Sequence, residues 1–366
     1  MQFFNTHIDP LAVSHLQDVF EDNFVGEGHM VKKFEDGLAS TLEILNPVAV
    51  NSGTAALHLA LIAAGVEEGD EVLLPAQTFV ATGLVILMQK AKPVFVDINP
   101  YTGNMDPNKL QSKITDKTKA IMPVHWGGTP CELTAINRIA DFAGLTVIED
   151  AAHALGALYR GKPIGTISDY AAFSFQAIKH MTTGDGGALC CRDAEKANEV
   201  RRRRWFGIDR ANTQPSELGD RGYDITELGY KYHMNNIAAA IGVGNLEHFT
   251  KRLQTRRNIA DFYIEQLDGI EGLELMKPDI HGSKSAYWLF PVLVERRNHF
   301  VKKMREARIP VSVVDRRIDR YSIFGGITPN LKGQEYFEEH QIHLPIHDGL
   351  SSQDIQSIVN VIKKGW

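Results

Sequence analysis

The chain has 366 residues, of which 43% are hydrophobic and 23% charged, with a formal net charge of -6 at pH 7. This length allows two domains with a sizeable core, and the composition is that of an ordinary globular protein. The negative charge gives no general attraction to nucleic acid or to an anionic membrane, so neither is an expected partner. Residues 1–10 lack a secretory signal and no apolar run is long enough to span a bilayer, which predicts a cytoplasmic protein.

The N-terminal region predicts an arm, residues 1–30, and then a helix from about Val31, with Gly26 and Gly28 before it. Residues 47–50 predict a short buried strand. The small residues 51–54 follow and lead into an apolar helix that ends at Gly65. In this arrangement the start of the helix exposes backbone N–H groups that can hold an anion. The alternative interpretation is an ordinary Ser or Thr helix cap.

The pattern then alternates between strands and helices. It predicts strands at 71–74, 93–98, 120–124 and 146–149, and helices at 79–89, 107–114 and 131–143. Repeated β-α units with apolar strands predict an α/β fold whose mainly parallel central sheet is flanked by helices. Ligands of such sheets bind beyond the carboxyl ends of the strands, where the chain carries Ser52, Gln77, His125, Asp150 and His153.

Asp150 directly follows a predicted buried strand. A carboxylate in that position needs a partner, and a protonated pyridine nitrogen would serve. A cap on the following turn is the alternative.

Lys179 lies between the apolar strand that ends at Ser174 and a Thr/Gly-rich turn that ends at Gly187. Apolar neighbours would desolvate its ammonium and lower its pKa, leaving more free amine. Such an amine can form a Schiff base with a carbonyl, and pyridoxal phosphate (PLP) is the commonest carbonyl cofactor held in this way. The alternative is a solvated surface lysine, since lysine is rarely buried.

The remainder of the chain predicts a strand at 188–191, a helix at 194–205 with an arginine run, a long polar loop at 207–221 and a small-residue helix. From about residue 251 the composition shifts to a charged amphipathic helix, and shorter strands and helices then alternate, at 286–294, 299–307, 311–314 and 354–364. We therefore predict a large domain at 31–250 and a small C-terminal α/β domain at 251–366.

Several residue groups resemble functional motifs without fitting them. Residues 156–162 spell GxxxxGK, but Pro163 replaces the Ser or Thr that holds magnesium in a P-loop. His340, His343 and His347 lack a carboxylate or cysteine partner, so no metal site is predicted. The cysteines, Cys131, Cys190 and Cys191, show no CxxC spacing and predict reduced thiols in the core.

Six blocks of sequence carry a resemblance to a known family. They are NSGTAALHLAL, GDEVLLPAQTFVAT, KPVFVDI, IEDAAHALGALYRGKPIG, FSFQAIKHMTTGDGG and GYKYHM, in this order. Together they resemble the DegT/DnrJ/EryC1/StrS family of PLP-dependent sugar aminotransferases. The resemblance implies the fold-type-I transferase fold and a homodimer with shared active sites. It also implies that keto-sugars, usually nucleotide-linked, accept the amino group and become amino sugars such as those of lipopolysaccharide.

The resemblance also implies roles for individual residues. Lys179 matches the Schiff-base lysine and Asp150 the carboxylate that pairs with the pyridine nitrogen. The remaining cofactor contacts implied are Ser174 and the Gly53-Thr54-Ala55 turn for the phosphate, Phe79 stacking on the ring, and His153 near the phenolic oxygen.

One motif departs from the family pattern, and the register at Lys179 distinguishes two branches of the family. The motif after Gly229 reads GYKYHM without the usual asparagine, so Lys231 or His233 is expected to reach the neighbouring subunit's phosphate instead. One branch of the family carries histidine at the lysine position and removes a sugar hydroxyl. Here Lys179 stands five residues after Ser174, as in the aminotransferases, and His180 is interpreted as a neighbour packed near the substrate.

These residues predict a two-step transfer of an amino group from L-glutamate through Lys179 and the cofactor to a keto-sugar. Arg316, Arg317 and Arg320 are the candidates for binding the sugar nucleotide's diphosphate, with a solvated charge cluster as the alternative. A dehydratase of the same family and a non-catalytic regulator on the same fold are the alternative functions.

Overall fold

The structure is a computed structural model that describes residues 1–276 and 282–366. The described residues form a seven-stranded sheet and a three-stranded sheet, both packed against helices, together with two small hairpins. This arrangement confirms the predicted α/β class. The domain boundaries at residues 30 and 250 stay a prediction.

The helices alternate with the strands through most of the chain. They are α1 (Leu11–Glu21), α2 (His29–Leu42), α3 (Gly53–Ala63), α4 (Val80–Met88), α5 (Leu133–Ala143), α6 (Ala194–Arg203), α7 (Asn236–Glu247), α8 (Phe249–Leu267), α9 (Arg297–Glu306), α10 (Lys332–His340) and α11 (Ser352–Ile362). Short 3-10 turns occupy Pro107–Lys109, Gln111–Lys113, Trp126–Gly128, Ile318–Arg320 and Ser322–Phe324.

The strands are β1 (Pro47–Val50), β2 (Glu71–Pro75), β3 (Lys92–Val96), β4 (Thr118–Ile121), β5 (Thr146–Asp150), β6 (Leu158–Tyr159), β7 (Lys162–Pro163), β8 (Tyr170–Ser174), β9 (Gly187–Cys191), β10 (Gln214–Pro215), β11 (Arg221–Gly222), β12 (Leu273–Leu275), β13 (Phe290–Val294) and β14 (Gln341–Leu344). β6 pairs with β7 and β10 with β11 in the small hairpins.

The seven-stranded sheet has the order β1-β9-β8-β5-β4-β2-β3. β9 runs antiparallel to both of its neighbours, and the remaining strands run in one common direction. Parallel strands need crossover connections, which the intervening helices supply. The carboxyl ends of β4, β5 and β8 therefore meet at one edge, beside the start of α3.

Both faces of the seven-stranded sheet are buried. Ala49 of β1 and Cys190 of β9 belong to one apolar cluster, together with side chains of α2, α5 and α7. Val48 and Cys191 belong to the cluster on the opposite face, which includes α3 and α6. Successive strand residues point to opposite faces, so the adjacent cysteines lie on different sides of the sheet. All of the cysteines are buried and free, as predicted.

The three-stranded sheet, β12-β13-β14, is antiparallel and packs on α8, α9 and α11 around its own apolar cluster. Among the described residues, no helix is both long and apolar enough to cross a membrane.

Some predicted elements are wrong in kind. Residues 107–114 form two 3-10 turns instead of a helix, because Asp106 caps Asn108 and only Pro107 and Leu110 are buried, which leaves no apolar face to stabilise a longer helix. Residues 311–314 form no strand beyond a single bridge of Ser312 to His343. The loop at 207–221 contains the β10–β11 hairpin, and an additional helix, α1, lies within the predicted arm.

Candidate active site

A cavity of about 510 Å³ lies at the carboxyl edge of the large sheet. Its walls come from the start of α3, the start of α4, the ends of β5 and β8, and two segments of the C-terminal half. It contains these residues predicted as site residues: Gly53, Thr54, Phe79, Asp150, His153, Ser174 and Lys179. The predicted edge of the sheet is therefore where these side chains meet.

The start of α3 presents backbone donors to one end of the cavity. Ser52 caps the helix by accepting a hydrogen bond from the Ala55 amide at 3.1 Å, so the amides of Gly53 and Thr54 begin the helix without a carbonyl one turn back. A Cβ on Gly53 would come within 2.9 Å of the Ser174 Cβ. This tight approach of helix to strand forms a cradle suited to a phosphate group. Ala55 differs from its predicted role, because its amide is committed to Ser52 and the residue is buried outside the cavity lining.

Asp150 ends β5 at the floor of the cavity and is 5% exposed. The Thr82 hydroxyl donates to its Oδ2 at 2.7 Å, and the Ala152 amide donates to its Oδ1 at 3.1 Å. Burial raises the pKa of this carboxyl, while the two hydrogen bonds and the charge of Lys179 act in the opposite direction. Both oxygens are thus fixed in orientation by donors that favour the ionised form.

Lys179 projects its amine into the same cavity. Its Nζ lies 3.5 Å from the centroid of the Trp288 ring, which is close enough for a cation–π contact. Burial lowers the pKa of Lys179 to about 7, and the charges of Asp150 and Asp315 only partly oppose that effect. The amine is therefore neutral in a large fraction of molecules near neutral pH, as the sequence predicts.

Aromatic rings close one side of the cavity. His153 stacks on Trp288 with ring centroids 3.9 Å apart, and Phe4 of the N-terminal arm stacks near Trp288 at 5.5 Å. Burial, together with the positive charge of Lys179, holds the pKa of His153 well below its usual value, so the imidazole is neutral. Its Nδ1 is buried with no hydrogen-bond partner among the described residues. Phe79 also lines the cavity and is 56% exposed.

These observations fit PLP. The cradle at α3 suits its phosphate, the fixed Asp150 carboxylate suits its pyridine nitrogen, and the unpartnered Nδ1 of His153 can hydrogen-bond a polar ring substituent. The amine of Lys179 supplies the nucleophile for its carbonyl.

Lys231 and His233 lie outside this cavity. The Lys231 carbonyl accepts a hydrogen bond from Asn51 at 3.2 Å, and the His233 ring packs edge-on against Trp205 at 4.1 Å. Because both residues were predicted to reach a neighbouring subunit, their position in one chain leaves that prediction open.

His180 does not fit its predicted substrate contact. Its side chain is 3% exposed, its Nε2 lies 2.9 Å from the Leu155 carbonyl oxygen, and its ring packs against Phe249 instead of lining the cavity. The residue follows Lys179 directly, and the turn in which both lie points their side chains in different directions.

Two of the three predicted diphosphate-binding arginines are already paired. Arg317 is 2% exposed and holds Asp319 through two hydrogen bonds of 2.7 and 2.6 Å. Arg320 faces Glu338 at 3.4 Å. Arg316 is exposed and, among the described residues, has no hydrogen bond or ion pair. Arg316 alone of the three therefore has a guanidinium available for an anion.

Trp288, Thr82 and Asp315 were not predicted from the sequence. Asp315 carries the same signal as Asp150, since it directly follows an apolar run, at 311–314. Trp288 and Thr82 carry no local signal, because their roles depend on contacts with residues distant in the chain.

The three histidines set aside as a metal site are engaged separately. His340 Nδ1 lies 2.8 Å from the Tyr336 carbonyl oxygen, His343 Nδ1 lies 2.9 Å from that of Ser312, and His347 Nε2 lies 3.1 Å from that of Gln2. Within residues 1–276 and 282–366, no group of three metal-ligating side chains is found.

The fold and the cavity define a PLP-dependent enzyme of fold type I. The sequence profile of the DegT/DnrJ/EryC1/StrS aminotransferase family matches residues 7–363. The chain therefore belongs to this family, which confirms the resemblance; it is an aminotransferase, and its cofactor is PLP.

Named relatives cover most of the chain. It is 35% identical to the GDP-perosamine synthase of Caulobacter vibrioides, over 91% of this chain and 89% of the relative. It is 29% identical to the UDP-4-amino-4-deoxy-L-arabinose–oxoglutarate aminotransferase of Shewanella sediminis, over 98% and 96%. The crystal structure of the sugar aminotransferase CalS13 from Micromonospora echinospora superposes with a TM-score of 0.94 at 34% identity, covering 100% of both chains.

Proposed function

We propose that this aminotransferase moves the amino group of L-glutamate to the keto group of a nucleotide-linked sugar, in the biosynthesis of an amino sugar for a surface polysaccharide. The observation that carries the proposal is the amine of Lys179, which faces the same cavity as the Asp150 carboxylate and has its pKa lowered by burial to about 7. The names of the relatives support the substrates, since they specify nucleotide-linked amino sugars and oxoglutarate, the keto acid that corresponds to glutamate.

When bound, PLP supplies an electron sink that stabilises a carbanion next to the reacting nitrogen. Lys179 holds the cofactor through Nζ and, once released, accepts a proton from the substrate carbon and later returns it. An amine with a pKa of about 7 can do both near neutral pH. Asp150, oriented by Thr82, keeps a proton on the pyridine nitrogen.

The other residues of the cavity bind the cofactor's phosphate group or shield the reacting amine from water. The amides at the start of α3 and the Ser174 hydroxyl bind the phosphate group. The stacked rings of His153 and Trp288 exclude water from one side of the reacting amine. Phe79, which also lines the cavity, stacks on the cofactor ring.

We assign the sugar nucleotide's diphosphate to Arg316. Its guanidinium has no partner among the described residues, whereas Arg317 and Arg320 are already engaged by carboxylates. Arg316 directly follows Asp315, which lines the cavity, so a ligand that extends out of the cavity mouth passes close to it.

The position of His180 argues against the dehydratase alternative. Its imidazole is engaged with the Leu155 carbonyl, and the group that faces the cavity is the Lys179 amine. Removal of a sugar hydroxyl with histidine in place of lysine would need the opposite arrangement.

We also propose that two copies of the chain form a homodimer with shared active sites. The segment from residue 206 to 233 carries exposed apolar side chains, which a second copy could cover; they are Phe206, Leu218, Tyr223, Ile225 and Leu228. Lys231 and His233 lie at the end of this segment, outside their own cavity.

The reverse reaction tests the function with compounds that the relatives' names specify. GDP-perosamine and UDP-4-amino-4-deoxy-L-arabinose are each offered as amino donor with 2-oxoglutarate, and the formation of glutamate is measured. We expect the PLP-loaded protein to produce glutamate with at least one of them, and Lys179→Ala to lose that activity. Lys90→Ala, which removes an exposed lysine paired with Glu68 at 3.0 Å, is the matched control and should keep it. Full activity in Lys179→Ala would contradict the proposal, as would a wild-type protein that forms glutamate from neither amino sugar.

A further inference from the structure

Asp315 belongs to the C-terminal half of the chain and lines the cavity together with Lys179. Its backbone is fixed from two directions. Gln77 follows β2 of the large sheet, and its side-chain amide donates to the Asp315 carbonyl at 3.0 Å. The side-chain amide of Gln341, in β14, donates to the same carbonyl at 3.4 Å. Gln334 donates in turn to the Gln77 Oε1 at 3.0 Å. Buried amides from both sheets therefore hold Asp315 at a defined place in the cavity wall.

The side chain of Asp315 is half-buried and has no hydrogen bond or ion pair with any residue in 1–276 or 282–366. Asp150 in the same cavity differs, because donors hold both of its oxygens. Burial raises the pKa of Asp315, the charge of Asp150 raises it further, and Lys179 opposes them. Removing a carboxylate from water without supplying donors costs free energy, so this group is suited to a ligand that brings donors.

The chemistry of the two proposed substrates determines which one fits. L-Glutamate carries two carboxylates and the nucleotide carries a diphosphate, and like charges close to a half-buried carboxylate are unfavourable. A sugar ring carries neutral hydroxyl groups, which donate hydrogen bonds, and a hydrogen bond to a charged acceptor is stronger than one between neutral groups.

We propose that Asp315 is a specificity-determining residue that accepts a hydrogen bond from a hydroxyl of the acceptor's sugar ring and disfavours the carboxylates of the amino-acid donor. The proposal rests on the proposed function and refines it. The same cavity alternately holds an amino acid with two carboxylates and a polyhydroxylated sugar, and Asp315 biases it toward the sugar. Its loss should therefore change the two half-reactions in opposite directions.

The test measures the two half-reactions separately by the absorbance of the enzyme-bound cofactor. L-Glutamate converts the PLP form of the enzyme to the aminated form in one half-reaction. GDP-perosamine or UDP-4-amino-4-deoxy-L-arabinose causes the same conversion in the reverse of the other half-reaction. In Asp315→Ala we expect the apparent dissociation constant for the amino sugar to rise about tenfold or more, the size expected for loss of one hydrogen bond to a charged group. The apparent dissociation constant for glutamate should stay unchanged or fall. In Asp315→Asn, the constant for the amino sugar should lie between those of wild type and Asp315→Ala.

Asp185→Asn is the matched control, because Asp185 also lines the cavity, in addition to Asp150 and Asp315, and is exposed. It should leave the ratio of the two constants within about twofold of wild type.

Equally weakened binding of both substrates in Asp315→Ala would overturn the proposal, because it would indicate a purely structural role. No change in either would overturn it as well. A wild-type enzyme that reacts with glutamate but with neither amino sugar would overturn the proposed function, and the assignment of Asp315 with it. The behaviour of the wild type thus separates the two failures.

Discussion

The amine of Lys179 is held between opposing influences. Burial disfavours its charged form, whereas Asp150, Asp315 and the face of the Trp288 ring favour it. Burial dominates and lowers the pKa to about 7. A group whose pKa lies near the working pH is present in both protonation states, which is what a residue needs in order to accept a proton and return it.

This balance predicts how the apoenzyme takes up PLP as the pH changes. Only the neutral amine attacks a carbonyl, so the uptake rate should fall about tenfold per pH unit below the pKa of about 7 and level off above it. The rate is measured from the absorbance of protein-bound cofactor between pH 5 and 10. An exposed lysine would behave differently, since its amine would still be gaining reactivity at pH 10.

Free Nα-acetyl-lysine mixed with PLP is the reference in that experiment, and its rate should keep rising across the whole range. A protein profile parallel to this reference would mean that Lys179 is solvated as an ordinary lysine and would contradict the assignment.

At this scale the sequence was informative for residues at or just after the strand ends of the large sheet. Asp150, Ser174 and Lys179 all stand at or just after strand ends, and topology alone brings those ends to one edge. Trp288 and Thr82 could not be found in this way. Each acts through a side-chain contact with a residue about 70 or more positions away, and no local pattern encodes such a contact.

The helix α8 joins the two sheets through a row of arginines. Arg252 donates to Asp348 at 2.6 Å and to the His180 carbonyl at 3.2 Å, so it ties the segment after β14 to the turn that carries Lys179. Arg256 is 4% exposed and donates to the Ile346 carbonyl at 2.8 Å. Arg257 donates to the Gly156 carbonyl at 2.9 Å. The helix thus fixes the C-terminal sheet against the catalytic turn.

Asp348 is the carboxylate on which this row depends. It lies 2.6 Å from Arg252 and 3.8 Å from Arg256, and its side chain is 10% exposed. Asp348→Ala leaves both guanidinium groups without this anion in a largely buried setting, and we expect the free energy of unfolding to fall by about 3–5 kcal/mol. Urea unfolding of the apoprotein measures it. Asp36→Ala, which breaks an exposed pair with Lys32, is the matched control and should cost about 1 kcal/mol or less.

The pH dependence provides a second check on the same variant. Burial would raise the pKa of Asp348, but the hydrogen bond and charge of Arg252 outweigh it and hold the pKa below its usual value. A carboxyl with a lowered folded-state pKa stabilises the protein above its unfolded-state pKa, and that contribution is lost as the pH falls through the folded-state pKa. The difference between wild type and Asp348→Ala should therefore be full near pH 7 and shrink below about pH 4. A difference independent of pH would indicate lost packing rather than a lost ion pair.

Elements were predicted well where an apolar pattern was long and poorly where it was short. The strands of the large sheet were predicted because most of their residues are buried, so that each strand reads as a largely apolar run. Residues 107–114 offered a proline start and little apolar surface, which suits a 3-10 turn as well as a helix. Residues 311–314 read as a strand, but the segment lines the cavity with Ser312 and Val314 instead of pairing along its length.

At the scale of the whole chain, the cavity is built from segments that lie far apart in sequence. The large sheet supplies Asp150 and Lys179, the C-terminal half supplies Trp288 and Asp315, and the N-terminal arm supplies Phe4. The arm is fixed there, since the Thr6 hydroxyl donates to the Ala177 carbonyl at 2.8 Å. The resemblance to a family predicted this architecture as a whole. The residues by themselves predicted only the part of the cavity contributed by the large sheet.

A dimer with shared active sites makes a prediction that no monomer can satisfy. If Lys231 and His233 act on the partner's cavity, a Lys179→Ala subunit still provides them to a partner that retains Lys179. Co-expression of Lys179→Ala with the double variant Lys231→Ala/His233→Ala then yields mixed dimers with one intact site. Random pairing puts half of the molecules in mixed dimers, so about a quarter of the wild-type activity should return although each variant alone is inactive.

Co-expression of Lys179→Ala with Asp150→Ala is the matched control for that recovery. Both changes fall in the same cavity of a single chain, so every mixed dimer has one defect in each of its sites and no activity should return. Recovery in the first pair and none in the second requires that residues of two chains meet in one site. Equal recovery in both pairs, or a double variant at Lys231 and His233 that is fully active alone, would contradict the shared site. Because Lys179→Ala and Asp150→Ala leave the exposed apolar segment from residue 206 to 233 unchanged, the absence of recovery in the control pair cannot be attributed to a loss of dimerisation.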